Sequence, residues 1–251
     1  MTCATHALVG HAEALLTGCM HTFILENRFQ IELLPSAQFL PPAPAHAEQH
    51  EAARVLVIAH DAPGADLETA AIKAAWPAGA VTVLSGAGAT ENALRGARGF
   101  SILHFAAHAE ADDREPLASH LRLAPDSAND GFLHLGEISA QRHTGQLVIL
   151  SACETLSGTL FRGEGLMGLG RAFITAGAVG VVATQWPIGP SSAELMGEFH
   201  RKLAAGLDAA AALREAKRSL RRNPATAHPF YWAGFVLLRG APGSAGSTPP
   251  R

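Results

Sequence analysis

The sequence predicts an α/β protein built on a mostly parallel sheet covered by helices on both faces. Two observations carry that prediction. Short, near-continuous apolar runs recur along the chain, as at 54–60, 80–86, 100–109, 147–152 and 179–184. Such runs mark strands buried on both faces. Segments with helical periodicity lie between them, and alternation of that kind points to strand–helix–strand units. The chain has 251 residues, 48% hydrophobic and 16% charged, which is an ordinary globular mixture.

The elements follow in order. "RFQIELLPSAQFL" alternates and breaks at Pro35, which predicts a strand near 29–34. "PPAPAHAEQHE", 41–51, is a Pro/Ala-rich connector. "RVLVIAH", 54–60, is a buried strand, and "DAPGADLETAAIKAAW" opens with turn residues and continues as a helix with Asp66 and Glu68 in its first turn. "AVTVLSG", 80–86, reads as another buried strand. In "ATENALRGA", Thr90 is placed to cap a helix; Ala93 does not complete a capping box, but the acidic first turn fits. "FSILHFAAHA", 100–109, is the third core strand, and the Asp/Pro-rich stretch 110–131 reads as loop.

"LVILSA" is the fourth core strand. "GEGLMGLGRAFITAGA", 163–178, starts rich in glycine and becomes a helix ending near Gly177. "VGVVATQWPI" is a fifth strand, stopped by Trp186-Pro187. Two amphipathic helices follow in "SSAELMGEFHRKLAAG" and "LDAAAALREAKRSLRR"; the basic end of the second complements a helix dipole. "HPFYWAGFVLLRG", 228–240, is a last strand, and "APGSAGSTPPR", 241–251, has the composition of a disordered tail.

Composition narrows the function. A net charge of −3 and the absence of a dense basic face argue against direct nucleic-acid binding. No apolar run reaches the roughly 18–20 residues of a membrane span. The first twenty residues hold two His and a Glu and lack a basic lead, a poor secretory signal. Cys3, Cys19 and Cys153 are odd in number and widely spaced, which fits a reducing, cytoplasmic setting better than a disulfide scaffold.

Parallel sheets collect ligands and chemistry outside the carboxyl ends of their strands. Two strands end there with reactive groups: one carries His104 and His108, the other Cys153. By strand parity the two histidines face the same side, and the alternation does not separate them. His104, inside the run, reads most simply as a hydrogen-bonded interior histidine. "HFAAH" lacks the helix and the glutamate of a zinc motif, so no metal is assigned. "GEGLMG" matches G-x-G-x-x-G, but ten or more residues separate it from its strand and no acid follows at 183–188. It is not a dinucleotide fingerprint, and its glycines suit close helix–sheet packing. Trp186 is either a packing aromatic or the wall of a substrate groove.

Together these residues resemble the CHAT family of caspase-like cysteine peptidases, relatives of caspases and separases. "LHFAAHA", 103–109, is similar to the family's histidine element, and "LSACET", 150–155, matches its cysteine element letter for letter. "GEGLMGLGRAFITAGAVGV", 163–181, a Trp-Pro corner and "HPFYWAGFVL", 228–237, follow in the family's order. The resemblance implies a caspase-like three-layer sandwich over 22–240, with 1–21 as a lead-in that is truncated or regulated from outside. It implies a Cys153 nucleophile and a His108 acid–base. Backbone N–H groups of Ala109 and Cys153 would form an oxyanion hole, and Glu154, Gln185 and Trp186 would line the groove. It implies a cysteine endopeptidase that needs no metal or cofactor, with a protein or peptide substrate and control by an upstream sensor or regulatory protein. The alternative is a catalytically silent caspase-like module that binds peptides. Three departures stand out: Ala109 where glycine is commonest, "GPSS" after "QWPI" where an acid is common, and a short lead-in. Asp112, Asp113 and Glu154 are acidic candidates for a basic-side-chain specificity pocket.

Overall fold

The computed structural model describes residues 32–33, 53–110, 112, 115–151, 164–186 and 192–240. Six strands form the central sheet: β1 (Val55–His60), β2 (Val81–Ser85), β3 (Ile102–Ala107), β7 (Leu147–Leu150), β8 (Gly180–Thr184) and β9 (Phe235–Arg239). Their order is β2-β1-β3-β7-β8-β9. The first five are parallel, and β9 runs antiparallel to β8. The apolar runs are strands because each alternates its side chains between two cores. Val55, Val57, Ile102, Ile149 and Val182 point to one face, while Leu56, Ile58, Leu103, Phe105 and Val148 point to the other.

Helices cover both faces. On the first lie α1 (Ala65–Ala75), α5 (Ser192–Ala204) and α6 (Ala209–Arg222), contributing Ile72, Leu195, Phe199 and Leu213. On the second lie α2 (Glu91–Arg95), α3 (Leu135–Ala140) and α4 (Glu164–Thr175), contributing Leu94, Ile138, Leu169 and Phe173. The result is the three-layer α/β sandwich expected of a caspase-like fold, with a mostly parallel sheet in the middle layer.

Several expectations need correction. The stretch 110–131 is not simply loop. It holds β5 (His120–Arg122), which pairs with β4 (Ala109–Glu110) and with β6 (Phe132–His134) in a small antiparallel sheet. Its inward row, Ala109, Leu121 and Leu133, is buried in the second core. Only one row faces inward, so the apolar signal was thin. The α3 helix drew no prediction either, being only six residues long. The strand at 81–85 is not buried on both faces. Among the described residues it is the sheet edge, and none of its five residues is fully buried. The last strand is shorter than its segment, because residues Pro229–Tyr231 form a 3-10 turn ahead of it.

Other expectations hold. Thr90 caps α2, its Oγ1 accepting from Ala93 N at 3.2 Å. Of the strand expected at 29–34, Leu33 extends the sheet beside β9: its N–H donates to Leu237 O at 2.7 Å, and its C=O accepts from Arg239 N at 2.9 Å. The connector at 41–51, the first 31 residues and the tail from 241 lie outside the described residues. Gly170 of α4 meets Leu238 and Val181 of the sheet so closely that an added Cβ would stand 3.4 Å from Leu238. Gly170 lies just beyond GEGLMG; within that motif Gly168 faces Leu135 of α3, where an added Cβ would stand 3.6 Å from its Cδ1.

Candidate active site

Because β1, β3, β7 and β8 are parallel, their carboxyl ends share one edge of the sheet. That edge gathers His60 at the end of β1 and Asp61 after it, His108 after β3, Ser151 after β7, and Gln185 and Trp186 after β8. Asp61 holds φ at 48°, in the left-handed region that aspartate tolerates better than most residues. It bridges back to Ala107 at the end of β3.

His108 occupies the step between the two sheets. Its carbonyl accepts from Arg122 N at 2.8 Å, which makes His108 and Arg122 a hydrogen-bonded antiparallel pair. The next pair, Ala109 and Leu121, is therefore of the non-bonded type. Ala109 thus turns its side chain into the core and its N–H away from β5. The His108 side chain is half-buried.

Strand parity puts His104 and His108 on the same side, and burial distinguishes them: His104 lies within β3 and is buried, whereas His108 follows the last residue of β3 and is half-buried. His104 is wholly enclosed and hydrogen-bonded to Glu68 Oε1 at 2.8 Å and to His200 Nε2 at 3.1 Å. It is an interior histidine, as the simplest reading had it. Burial pushes the His200 imidazole well below its usual value, and the neighbouring His104 adds to the effect. Sequence reasoning missed this cluster, although a signal existed. Glu68 lies on the same helical stripe as Ala65 and Ile72, and His200 follows Phe199 on the stripe of Met196 and Leu203. A carboxylate and an imidazole on buried stripes of two helices call for partners.

On the neighbouring strand, Ser151 continues the pairing of β7 with β3, its N–H donating to Phe105 O at 3.0 Å. Cys153 and Glu154 lie outside the described residues. After β8, Gln185 is exposed and its N–H donates to Gly234 O at 2.9 Å. Trp186 is half-buried against the first core, and its indole Nε1 donates to Phe230 O at 3.1 Å. It packs on the core at the carboxyl end of β8, and partial burial leaves part of the ring exposed. Among the acidic candidates, Asp112 is exposed and accepts from Glu115 N at 2.9 Å, which ties its carboxylate to a turn. Asp113 lies outside the described residues.

A family model for the CHAT domain matches residues 5–240. The chain belongs to the CHAT family. Relatives of this CHAT chain include tetratricopeptide repeat protein 28 of Mus musculus, 36% identical over 94 residues, and its Homo sapiens counterpart, 35% identical over 94 residues. Each match covers 37% of this chain and 4% of the relative, so the CHAT chain spans a small fraction of those proteins. A solved complex of Porphyromonas gingivalis RgpB pro- and mature domains aligns with 75% of this chain and 47% of that one, at 11% identity and a TM-score of 0.47. No helix among the described residues of the CHAT chain is long and apolar enough to cross a membrane.

Proposed function

We propose that this CHAT domain is a cysteine endopeptidase in which Cys153 is the nucleophile and His108 the acid–base. One observation carries the reading. Paired residues of β3 and β7 differ by 45 positions throughout, from Ile102 with Leu147 to Phe105 with Leu150. Cys153 follows His108 by the same interval. Paired residues of β7 and β8 differ by 33, the interval from Cys153 to Trp186. The sequence interval from His108 to Cys153 thus equals the register of the two adjacent parallel strands that precede them, and the interval from Cys153 to Trp186 equals the register of the next pair.

The chemistry follows from the groups. A free thiol has a pKa of about 8.5, so little is thiolate at neutral pH. An imidazole beside it takes the proton. The Cys153 sulfur attacks the scissile carbonyl carbon, and the π electrons move to oxygen. Backbone N–H groups of Ala109 and Cys153 would receive that oxyanion. The outward turn of the Ala109 N–H supports its part. His108 then gives its proton to the departing amine nitrogen as the C–N bond breaks, leaving a thioester. Water, deprotonated by His108, attacks the thioester. The acid product leaves and the thiol is restored. The mechanism draws on no metal or cofactor.

The substrate is a protein or peptide lying along the groove beside Glu154, Gln185 and Trp186. An upstream sensor or regulatory protein controls access, and the setting is the cytoplasm. The test is the alkylation rate of Cys153 against pH, by mass spectrometry, in the native protein and in His108→Ala. Cys3 and Cys19 are internal controls. Reaction of Cys153 well below the pH of the controls, lost in His108→Ala, supports the dyad. Behaviour like the controls in both proteins sinks it and favours a peptide-binding module.

A further inference from the structure

The β3 strand carries a histidine that this chemistry leaves unused. His104 and His200 are fully buried, and Glu68 and Ser192 are only 3% and 7% exposed. Four hydrogen bonds join them to Trp76 at the end of α1. The indole Nε1 meets His200 Nδ1 at 3.0 Å, and His200 Nε2 meets His104 Nδ1 at 3.1 Å. His104 Nε2 meets Glu68 Oε1 at 2.8 Å, and Ser192 Oγ donates to Glu68 Oε2 at 3.1 Å.

The two ends of this chain decide its protons. An indole N–H only donates, so His200 Nδ1 must accept. A neutral imidazole with a bare Nδ1 carries its proton on Nε2, so His200 donates to His104. His104 then accepts at Nδ1 and donates from Nε2 to the Glu68 carboxylate. That carboxylate has lone pairs enough for both His104 and Ser192. All five side chains are satisfied with both imidazoles neutral. A further proton on His104 would point at the His200 N–H, and one on His200 would point at the indole N–H. The chain has one direction and one proton count.

Its members also reach three corners of the candidate site. Glu68 lies on the helix entered from Asp61, the residue after β1. His104 precedes His108 by four residues on β3, and Ser192 opens the helix that follows the Trp186 corner. One buried carboxylate thus ties together the segments behind all three. Apolar side chains of similar volume would pack at least as well, because buried charge brings little net stability. What they would not supply is a fixed direction.

We infer that Glu68 and His104 are positioning residues for His108, held in one hydrogen-bond direction by Trp76. The inference rests on the dyad proposed above. Its test combines nitrogen-15 NMR of the imidazoles with iodoacetamide alkylation of Cys153, in the full chain. In the native protein at neutral pH, His104 and His200 are expected as neutral Nε2–H tautomers. Trp76→Phe keeps an aromatic ring but removes the N–H, so both rings should populate two tautomers. The alkylation advantage of Cys153 over Cys3 and Cys19 should fall, by up to about 10²-fold if His108 is displaced by about 1 Å. Glu68→Leu should lose the advantage too, whereas Glu68→Gln, which can still accept from His104, should recover most of it. A thermal midpoint measured on each variant shows that the chain is folded.

An Nδ1–H tautomer or an imidazolium at either ring of the native protein overturns the inference. So does an alkylation profile that stays native in Trp76→Phe and Glu68→Leu while only the thermal midpoint moves. If Cys153 in the native protein shows no advantage over the controls, the dyad reading fails, and the positioning role with it. The tautomer spectra then decide the hydrogen-bond chain by themselves.

Discussion

His104 and His108 are four residues apart on one segment and differ in burial. His104 is enclosed by α1 and α5, whereas His108 comes after the strand has ended and is half-buried. That difference supports the choice of His108 for acid–base work. Replacing His108 with Ala should lower peptide hydrolysis by about 10²–10⁴-fold, the usual contribution of a positioned acid–base. The thermal midpoint should move little. Retained hydrolysis in a folded His108→Ala protein would contradict the assignment. The buried imidazoles also set a pH dependence. Burial lowers His200 strongly, with His104 adding to it, and burial lowers His143 against a hydrogen bond that it donates to Gln146 Oε1, which raises it. Each folded-state value therefore lies below the unfolded value near 6.5. As pH falls through about 6.5, the unfolded chain takes up these protons first. The stability from both groups is complete above about pH 6.5 and is lost progressively as pH drops toward the folded-state values. Thermal midpoints measured at stepped pH should decline on that acid side; a flat profile would refute the account.

At the scale of elements, the helix pair α1 and α5 deserves the closest test, since the buried hydrogen-bond chain crosses it. The two approach at Gly197, where an added Cβ would lie 2.9 Å from the Ala71 Cβ. That methyl is fixed to the backbone and has no rotamer to escape into. Gly197→Ala gains about 1 kcal/mol of helix propensity. Overpacking costs about 1–3 kcal/mol. The clash is expected to win by about 1 kcal/mol, visible as a lower urea midpoint, and a more stable Gly197→Ala protein would show that the helices part easily. The same scale explains the misread elements. The β2 strand has the apolar composition of a core strand, but its place in the order leaves it at an edge. In β4, β5 and β6, two- and three-residue strands among Asp and Pro produce no period long enough to recognise.

Across the whole molecule, stability should be graded by position in the sheet. The central strands β3 and β7 are paired on both sides and fully buried, whereas β2 has a single neighbour among the described residues. Amide exchange should therefore be slowest in 102–107 and 147–150, and faster in 81–85 and in the small sheet. Exchange in β2 as slow as in β3 would mean that another segment covers the edge. The apolar runs at 55–60, 102–107, 147–150 and 180–184, with helical periods between them, were enough to announce a covered parallel sheet. Burial on two faces leaves a continuous apolar run whatever the strand order. The family motifs around His108 and Cys153 were likewise readable, since each is a run of adjacent residues. Strand order was not readable. Neighbours in the sheet come from distant parts of the chain, and apolar side chains pair with little selectivity. The equal intervals linking β3, β7 and β8, the different burial of His104 and His108, and the meeting of Trp76, His200, His104, Glu68 and Ser192 were decided only by the tertiary structure. Each depends on contacts between residues far apart in sequence, and local pattern carries no record of them.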